Sequence, residues 1–110
     1  MILKAMSTLT LHDLAARVKE RAQASAEISY TRKLLDKGIN HCAKKLGEEA
    51  IETVLAALQN DKGKLIGEAA DLLYHLLVLL EARGVKLADV EAALEKRTAQ
   101  SGHQEKASRK

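Results

Sequence analysis

The 110-residue sequence has no Phe, Trp or Pro, and its only aromatic residues are two Tyr. A β-sandwich core wants aromatics and turn residues, so that architecture is disfavoured. With no Pro and six Gly, few breakers interrupt the chain and long helices are allowed. Cys42 is alone, which excludes an intrachain disulfide and a CxxC metal site. Such cysteine usage suits a reducing cytoplasm. No run reaches the roughly 18 uninterrupted apolar residues of a membrane span. The opening "MILKAMSTLT" holds too short an apolar run for a secretory signal. The formal charge is a modest +3, and no dense basic stripe with interleaved aromatics marks a nucleic-acid interface. A soluble cytoplasmic protein is expected, with neither nucleic acid nor membrane as partner.

What is present is aliphatic: 46% of residues are apolar, mostly Leu, Ala, Ile and Val. Thr10 with Asp13 three residues on forms a capping-box pattern, and Leu11, Leu14, Ala15 and Val18 follow at helical spacing. This predicts a first helix over 11–24. Ser29 caps a short second helix through "YTRKLLDK", stopped by Gly38. "INHCAKKLGEEAIETVLAALQN" is a third. A polar link, "NDKGK", leads to a fourth, "LIGEAADLLYHLLVLLEAR", which Gly84 stops. "LADVEAALEKRT" is a fifth, with acids at its positive end and cations at its negative end. Residues 1–98 read as one all-α domain and 99–110 as a polar tail.

The third and fourth helices are the longest, and the short link predicts an antiparallel hairpin. On the third, Ile39, Ala43, Leu46, Ala50, Val54 and Ala57 make an apolar stripe. On the fourth, Leu65, Ile66, Leu72, Leu73, Leu76, Leu77, Val78, Leu79 and Leu80 surround the axis. A helix apolar all round needs partners all round, and one chain of this size supplies too few. The expected architecture is a helical bundle completed across a homodimer, at least, with this helix in an interchain core.

That same helix carries Glu68, Asp71 and His75. At about 100° per residue, Glu68 and Asp71 lie about 60° apart with His75 between them. Buried carboxylates need cations or shared protons. The third helix brings more acid: "GEEAIE" puts Glu48, Glu49 and Glu52 within about 100° of arc. Across an antiparallel hairpin, Glu49 and Glu52 meet Glu68 and Asp71. Oxygen-only ligands in that number call for Mg²⁺, or Mn²⁺, rather than zinc.

Blander readings apply to single residues. Glu48 and Glu52 lie opposite the apolar stripe, where a solvated face explains them, and Lys44 and Lys45 are placed for i, i+4 pairs with Glu48 and Glu49. His75 is expected as a core or interface histidine with at most a supporting role. Cys42 is expected as a small core residue. Gly47 and Gly67 each stand before an acidic motif inside a helix, at a cost of about 1 kcal/mol against Ala. Close helix crossing and room for a ligand explain them equally.

"KKLGEEAIETVLAA" followed by "EAADLLYHLLVLL" resembles the all-α nucleoside-triphosphate pyrophosphohydrolases, the MazG-like superfamily. Its hallmark, ExxE on one helix and ExxD on the next, is here Glu49-x-x-Glu52 and Glu68-x-x-Asp71, with Glu48 making the fuller EExxE. "SYTRKLLDKGINHCAKKLGEEAIE", "ARGVKLADVEAALEKR" and "SGHQEKASRK" extend the likeness over most of the chain to the phosphoribosyl-ATP pyrophosphohydrolase family. The fused cyclohydrolase domain of some relatives has no room in this chain. The resemblance implies Mg²⁺-dependent hydrolysis of phosphoribosyl-ATP to phosphoribosyl-AMP and pyrophosphate by a cytoplasmic homo-oligomer, at the second step of histidine biosynthesis. Glu49, Glu52, Glu68 and Asp71 are then the metal ligands. Glu48, Glu49 and Glu52 are the catalytic set, with Glu48 the candidate base by elimination.

A polyphosphate must also meet positive charge, and the candidates are Arg32, Lys33, Lys44, Lys45, Lys106 and Arg109. For each of these alone, a solvated surface cation is the simpler explanation. "EKASRK" matches the family's ending, so the tail is expected to be flexible or to cover the substrate. Ser29, Tyr30 and Thr31 also match family positions, and the resemblance implies that they lie near the substrate, although a helix-cap role explains Ser29 by itself. Two rivals stand beside this reading. A house-cleaning pyrophosphatase of deoxynucleotides fits the acidic motif equally well, although "SYTRKLL" and the tail favour phosphoribosyl-ATP. A noncatalytic dimerisation module, its acids paired with Lys44, Lys45 and Arg83, predicts no Mg²⁺ binding.

Overall fold

The computed structural model describes residues 8–99, folded as five helices. Helix α1 (Leu11–Arg21) opens on a complete capping box, in which Thr10 accepts from the Asp13 amide and Asp13 accepts from the Thr10 amide. It stops at Arg21, short of the expected 24. Helix α2 (Tyr30–Asp36) is capped by Ser29, whose hydroxyl accepts from the Arg32 amide and donates to the Arg21 carbonyl. One side chain thus starts α2 and ties it to the end of α1.

Gly38 ends that turn at φ 97°, a conformation that strains any residue with a Cβ. Helix α3 (Ile39–Leu58) begins directly after it. Helix α4 (Lys62–Arg83) starts three residues earlier than the polar composition suggested, because the Asp61 side chain accepts from the Lys64 amide and recruits Lys62 and Gly63 into the first turn. It ends at Gly84, left-handed as expected. Helix α5 (Leu87–Thr98) matches its expected span.

Helices α3 and α4 form a long antiparallel hairpin, and α1 and α2 pack on α4. The core is aliphatic: Val18, Leu34, Cys42, Leu77 and Val78 are buried, and Leu14, Leu35, Tyr74 and Leu80 close around them. Cys42 is the small core residue expected, with its thiol directed to the Leu34 carbonyl. Helix α5 buries no residue; Leu87 packs on the core, and the His12 imidazole donates to Glu91 at 2.7 Å to hold α5 against α1.

The line of α3 that meets its surroundings is not the expected stripe. Cys42, Glu49 and Ala56, seven residues apart, are the buried positions, and Ile39 and Val54 of the stripe are exposed. Ile51, Val54, Leu55 and Leu58 on α3, with Ile66 and Leu73 on α4, leave a large apolar surface open; Leu58 is 78% exposed and Ile66 70%. One chain therefore leaves the expected core of this hairpin half built. Among the described residues no helix is long and apolar enough to cross a membrane.

Candidate metal centre

The hairpin brings acids from both helices together. Glu49 is buried on α3. Carboxylate oxygens of Glu49, Glu68 and Asp71 all lie within 4.8 Å of one another. Glu52, one turn after Glu49, is exposed and near enough to Glu68 for its carboxylate to act on it. The register is pinned by Thr53, whose hydroxyl contacts the Glu49 carbonyl at 2.8 Å and the Glu68 carbonyl at 3.2 Å. That hydroxyl spans the two helices beside the acids they carry.

The site is electrostatically unfinished. Burial pushes the Glu68 carboxyl above its ordinary range, and the hydrogen bond and charge of Glu52 and the charges of Glu49 and Asp71 push it further. Glu49 Oε1 and Glu68 Oε1 are buried without a hydrogen-bond partner. Buried polar atoms are nearly always satisfied, so two orphaned carboxylate oxygens in one acidic cluster suit the binding of a cation. Among the described residues, Glu52, Glu68 and Asp71 make no ion pair with Lys or Arg. The donor set is all carboxylate oxygen, which suits a hard dication. The acidic cluster can bind a metal, and nothing in its chemistry argues against Mg²⁺.

Glu48 stands at the edge, beside the cations. Lys45 Nζ lies 3.4 Å from Glu48 and 3.8 Å from Glu49, and Lys44 lies 4.0 Å from Glu48. The Glu48 hydrogen bond, above all, raises the Lys45 ammonium, so it stays charged. Lys44–Glu48 and Lys45–Glu49 are the pairs expected from i, i+4 spacing, and the shorter Lys45–Glu48 contact adds an i, i+3 pair. Lys33 is exposed on α2. The Arg32 guanidinium is engaged by Asp36 at 2.6 Å and by the Ala22 carbonyl at 2.9 Å, so a phosphate would have to compete with both. Lys106 and Arg109 fall outside the described residues.

His75 lies beneath the cluster. Burial pushes its imidazole down, against the pull of Glu49. Its ring meets Tyr74 edge-on at 5.1 Å. A contact that no sequence pattern signals lies on the face of the same ring. Tyr30 stacks on Tyr74 with ring centroids 6.4 Å apart and planes 19° from parallel. The two tyrosines are far apart in the chain and on different helices, so only the packing of α2 on α4 brings them together. Gly47 and Gly67 have no heavy atom within 4 Å of where a Cβ would stand, so no close crossing within the chain calls for them. A cavity of about 370 Å³ opens among His12, Ala15, Leu77, Leu80, Val85 and Leu87, towards the end of α4 away from the acids. It holds none of the expected site residues.

The chain resembles known proteins over nearly its whole length. The family model described as phosphoribosyl-ATP pyrophosphohydrolase matches residues 11–98. A phosphoribosyl-ATP pyrophosphatase 1 of Bradyrhizobium diazoefficiens is 67% identical over 96% of this chain and 99% of its own. Its counterpart from Rhodopseudomonas palustris is 65% identical over 96% and 98%. A phosphoribosyl-ATP pyrophosphatase of Paracoccus denitrificans is 55% identical over 91% and 93%. The matched span runs from the first residue of α1 to the last of α5 and takes in every acid of the cluster, and so this chain belongs to the phosphoribosyl-ATP pyrophosphohydrolase family.

Proposed function

We infer that the chain hydrolyses phosphoribosyl-ATP to phosphoribosyl-AMP and pyrophosphate in histidine biosynthesis, with Mg²⁺ held by Glu49, Glu52, Glu68 and Asp71. Family membership gives the substrate. The observation that carries the chemistry is the convergence of carboxylates from two helices, two of their oxygens orphaned, with Lys45 beside Glu49 the one ammonium or guanidinium paired with the cluster among the described residues. When bound, the dication supplies neutralisation of the negative charge that grows on the phosphate oxygens.

The chain does the rest. Glu49, Glu52, Glu68 and Asp71 would hold the dication, whose charge would draw the polyphosphate to this face of the hairpin. Glu48 is outside that set and next to solvent, so it orients the attacking water and takes its proton. The water oxygen bonds to the α-phosphorus, the α–β bridging bond breaks, and its electron pair leaves with pyrophosphate. Lys44 and Lys45 face that leaving charge from the Glu48 side, with Arg32 and Lys33 on α2 and Lys106 and Arg109 in the tail as further phosphate contacts. The reading carries a cytoplasmic setting, in which the Cys42 thiol stays reduced.

Steady-state turnover of phosphoribosyl-ATP against the four dNTPs tests the substrate. The expected kcat/KM favours phosphoribosyl-ATP by about a hundredfold or more, the scale that polar substrate recognition supplies. A preference for any dNTP would assign the chain to deoxynucleotide clearance instead.

The functional unit is a homodimer in which the open faces of α3 and α4 form an interchain bundle. The exposed Ile51, Val54, Leu55, Leu58 and Ile66 support it, because so large an apolar patch marks an interface. Leu55→Glu is expected to shift the sedimentation coefficient of the assembly to that of a single chain. An unaltered assembly would place the interface elsewhere.

A further inference from the structure

The two tyrosines are the only aromatic residues in the chain, and they are stacked on each other beside the acidic cluster. Tyr74 lies three residues after Asp71 on α4, one helical turn or about 5 Å along the axis and on the same side. Its phenol shares a 2.6 Å hydrogen bond with the buried Thr31 hydroxyl, which fixes the ring and locks α2 to α4. It meets the buried His75 in a T-shaped contact at 5.1 Å. On its face it carries Tyr30.

Tyr30 is different in kind from the ring below it. It opens α2, and Tyr74 supports one of its faces, yet 55% of the residue remains in solvent. Nothing in the fold needs an aromatic there: no core residue closes over it. Its phenol lies within electrostatic reach of Lys45, which in turn contacts Glu48 and Glu49. An exposed ring backed by a second ring, near the charged groups of α3, is what a heteroaromatic base requires.

We propose that Tyr30 is a substrate-binding residue whose open ring face stacks on the adenine of the nucleotide, with Tyr74 and Thr31 as its positioning backing. The proposal rests on the pyrophosphohydrolase reading and adds where the base lies. With the phosphates drawn to the cation that Glu49, Glu68 and Asp71 would hold, the base reaches back over the start of α2. The stacking is made equally in ground and transition states, so its loss falls on KM rather than on kcat.

The test uses the full chain and three measurements on Tyr30→Leu and Tyr30→Phe: steady-state kinetics with phosphoribosyl-ATP, calorimetric affinity for inorganic tripolyphosphate with Mg²⁺, and sedimentation. Expected for Tyr30→Leu is a rise in KM of about tenfold or more, with kcat within about threefold. Tyr30→Phe, which keeps the ring, restores a KM near that of the wild type. Tripolyphosphate has no base, so both variants bind it as the wild type does, and both sediment unchanged. An unchanged KM in Tyr30→Leu overturns the proposal. So does a parallel loss of tripolyphosphate affinity, which would make Tyr30 part of the phosphate grip, or a changed assembly, which would make it an interface residue. Wild-type chain that fails to turn over phosphoribosyl-ATP would sink the functional reading itself, whereas an active wild type with a KM indifferent to Tyr30→Leu sinks only this inference.

Discussion

Glu68→Gln is expected to abolish turnover while making the metal-free chain melt at a higher temperature. Glu68 sits half-buried among Glu49, Glu52 and Asp71, and its Oε1 has no partner. The amide keeps the shape, removes one charge from a crowd of like charges, and brings two N–H donors that neighbouring carboxylates can accept. The fold therefore gains. The grip on the dication loses a charged ligand, and activity falls by at least about a hundredfold, the scale of losing a close electrostatic contact to the reacting group. Opposite movements in stability and activity are the signature of charge stored for a ligand rather than for the fold. Differential scanning calorimetry without metal, beside a pyrophosphate-release assay, reads both. A variant that melts lower and turns over less would mark Glu68 as an ordinary structural residue.

Magnesium itself should stabilise the chain, and more so as pH rises. A ligand at a hundred times its Kd adds about 2.7 kcal/mol to a protein that binds it only when folded. For a domain of this size that moves the melting temperature by on the order of 10 °C. The pH dependence comes from Glu68. Its folded carboxyl lies above the ordinary value of 4.5, with burial the first cause and Glu52 the second. A group raised in this way stabilises the metal-free fold fully below its ordinary value, and that contribution is lost as pH climbs through the raised one. Over the same window the carboxyl gives up the proton that competes with the metal. The Mg²⁺-induced shift is thus expected to be smaller at pH 5 than at pH 8. Equal shifts at the two values would show that Glu68 is not a ligand.

Much of the fold and of the acidic cluster is legible in the sequence. Thr10, Ser29 and Gly84 announce helix ends because caps act locally, through one side chain or one permissive backbone. The acids of α3 and α4 are legible as a pair of motifs because a three-residue spacing on a helix fixes their angle, and a short link fixes the hairpin. The features that escape such reading depend on rotation about a helix axis or on contacts between helices distant in sequence. Ile39, Ala43, Val54 and Ala57 of the apolar stripe face outward and Leu46 and Ala50 are half-buried, while Cys42, Glu49 and Ala56 turn inward. Hydropathy cannot distinguish a face meant for this chain from one meant for another. Asp61 hides the true start of α4, because Lys, Gly and Lys after it look like a loop. The Tyr30 and Tyr74 stack has no local signal at all.

One hydroxyl, that of Thr53, bridges the carbonyls of Glu49 and Glu68. The separation between the two acid pairs is accordingly set by a rigid hairpin and not by any loop. A redesign can therefore vary the exposed Tyr30 without touching the acids, which α3 and α4 carry, provided that Ser29 and Thr31 stay to cap α2 and tie it to its neighbours.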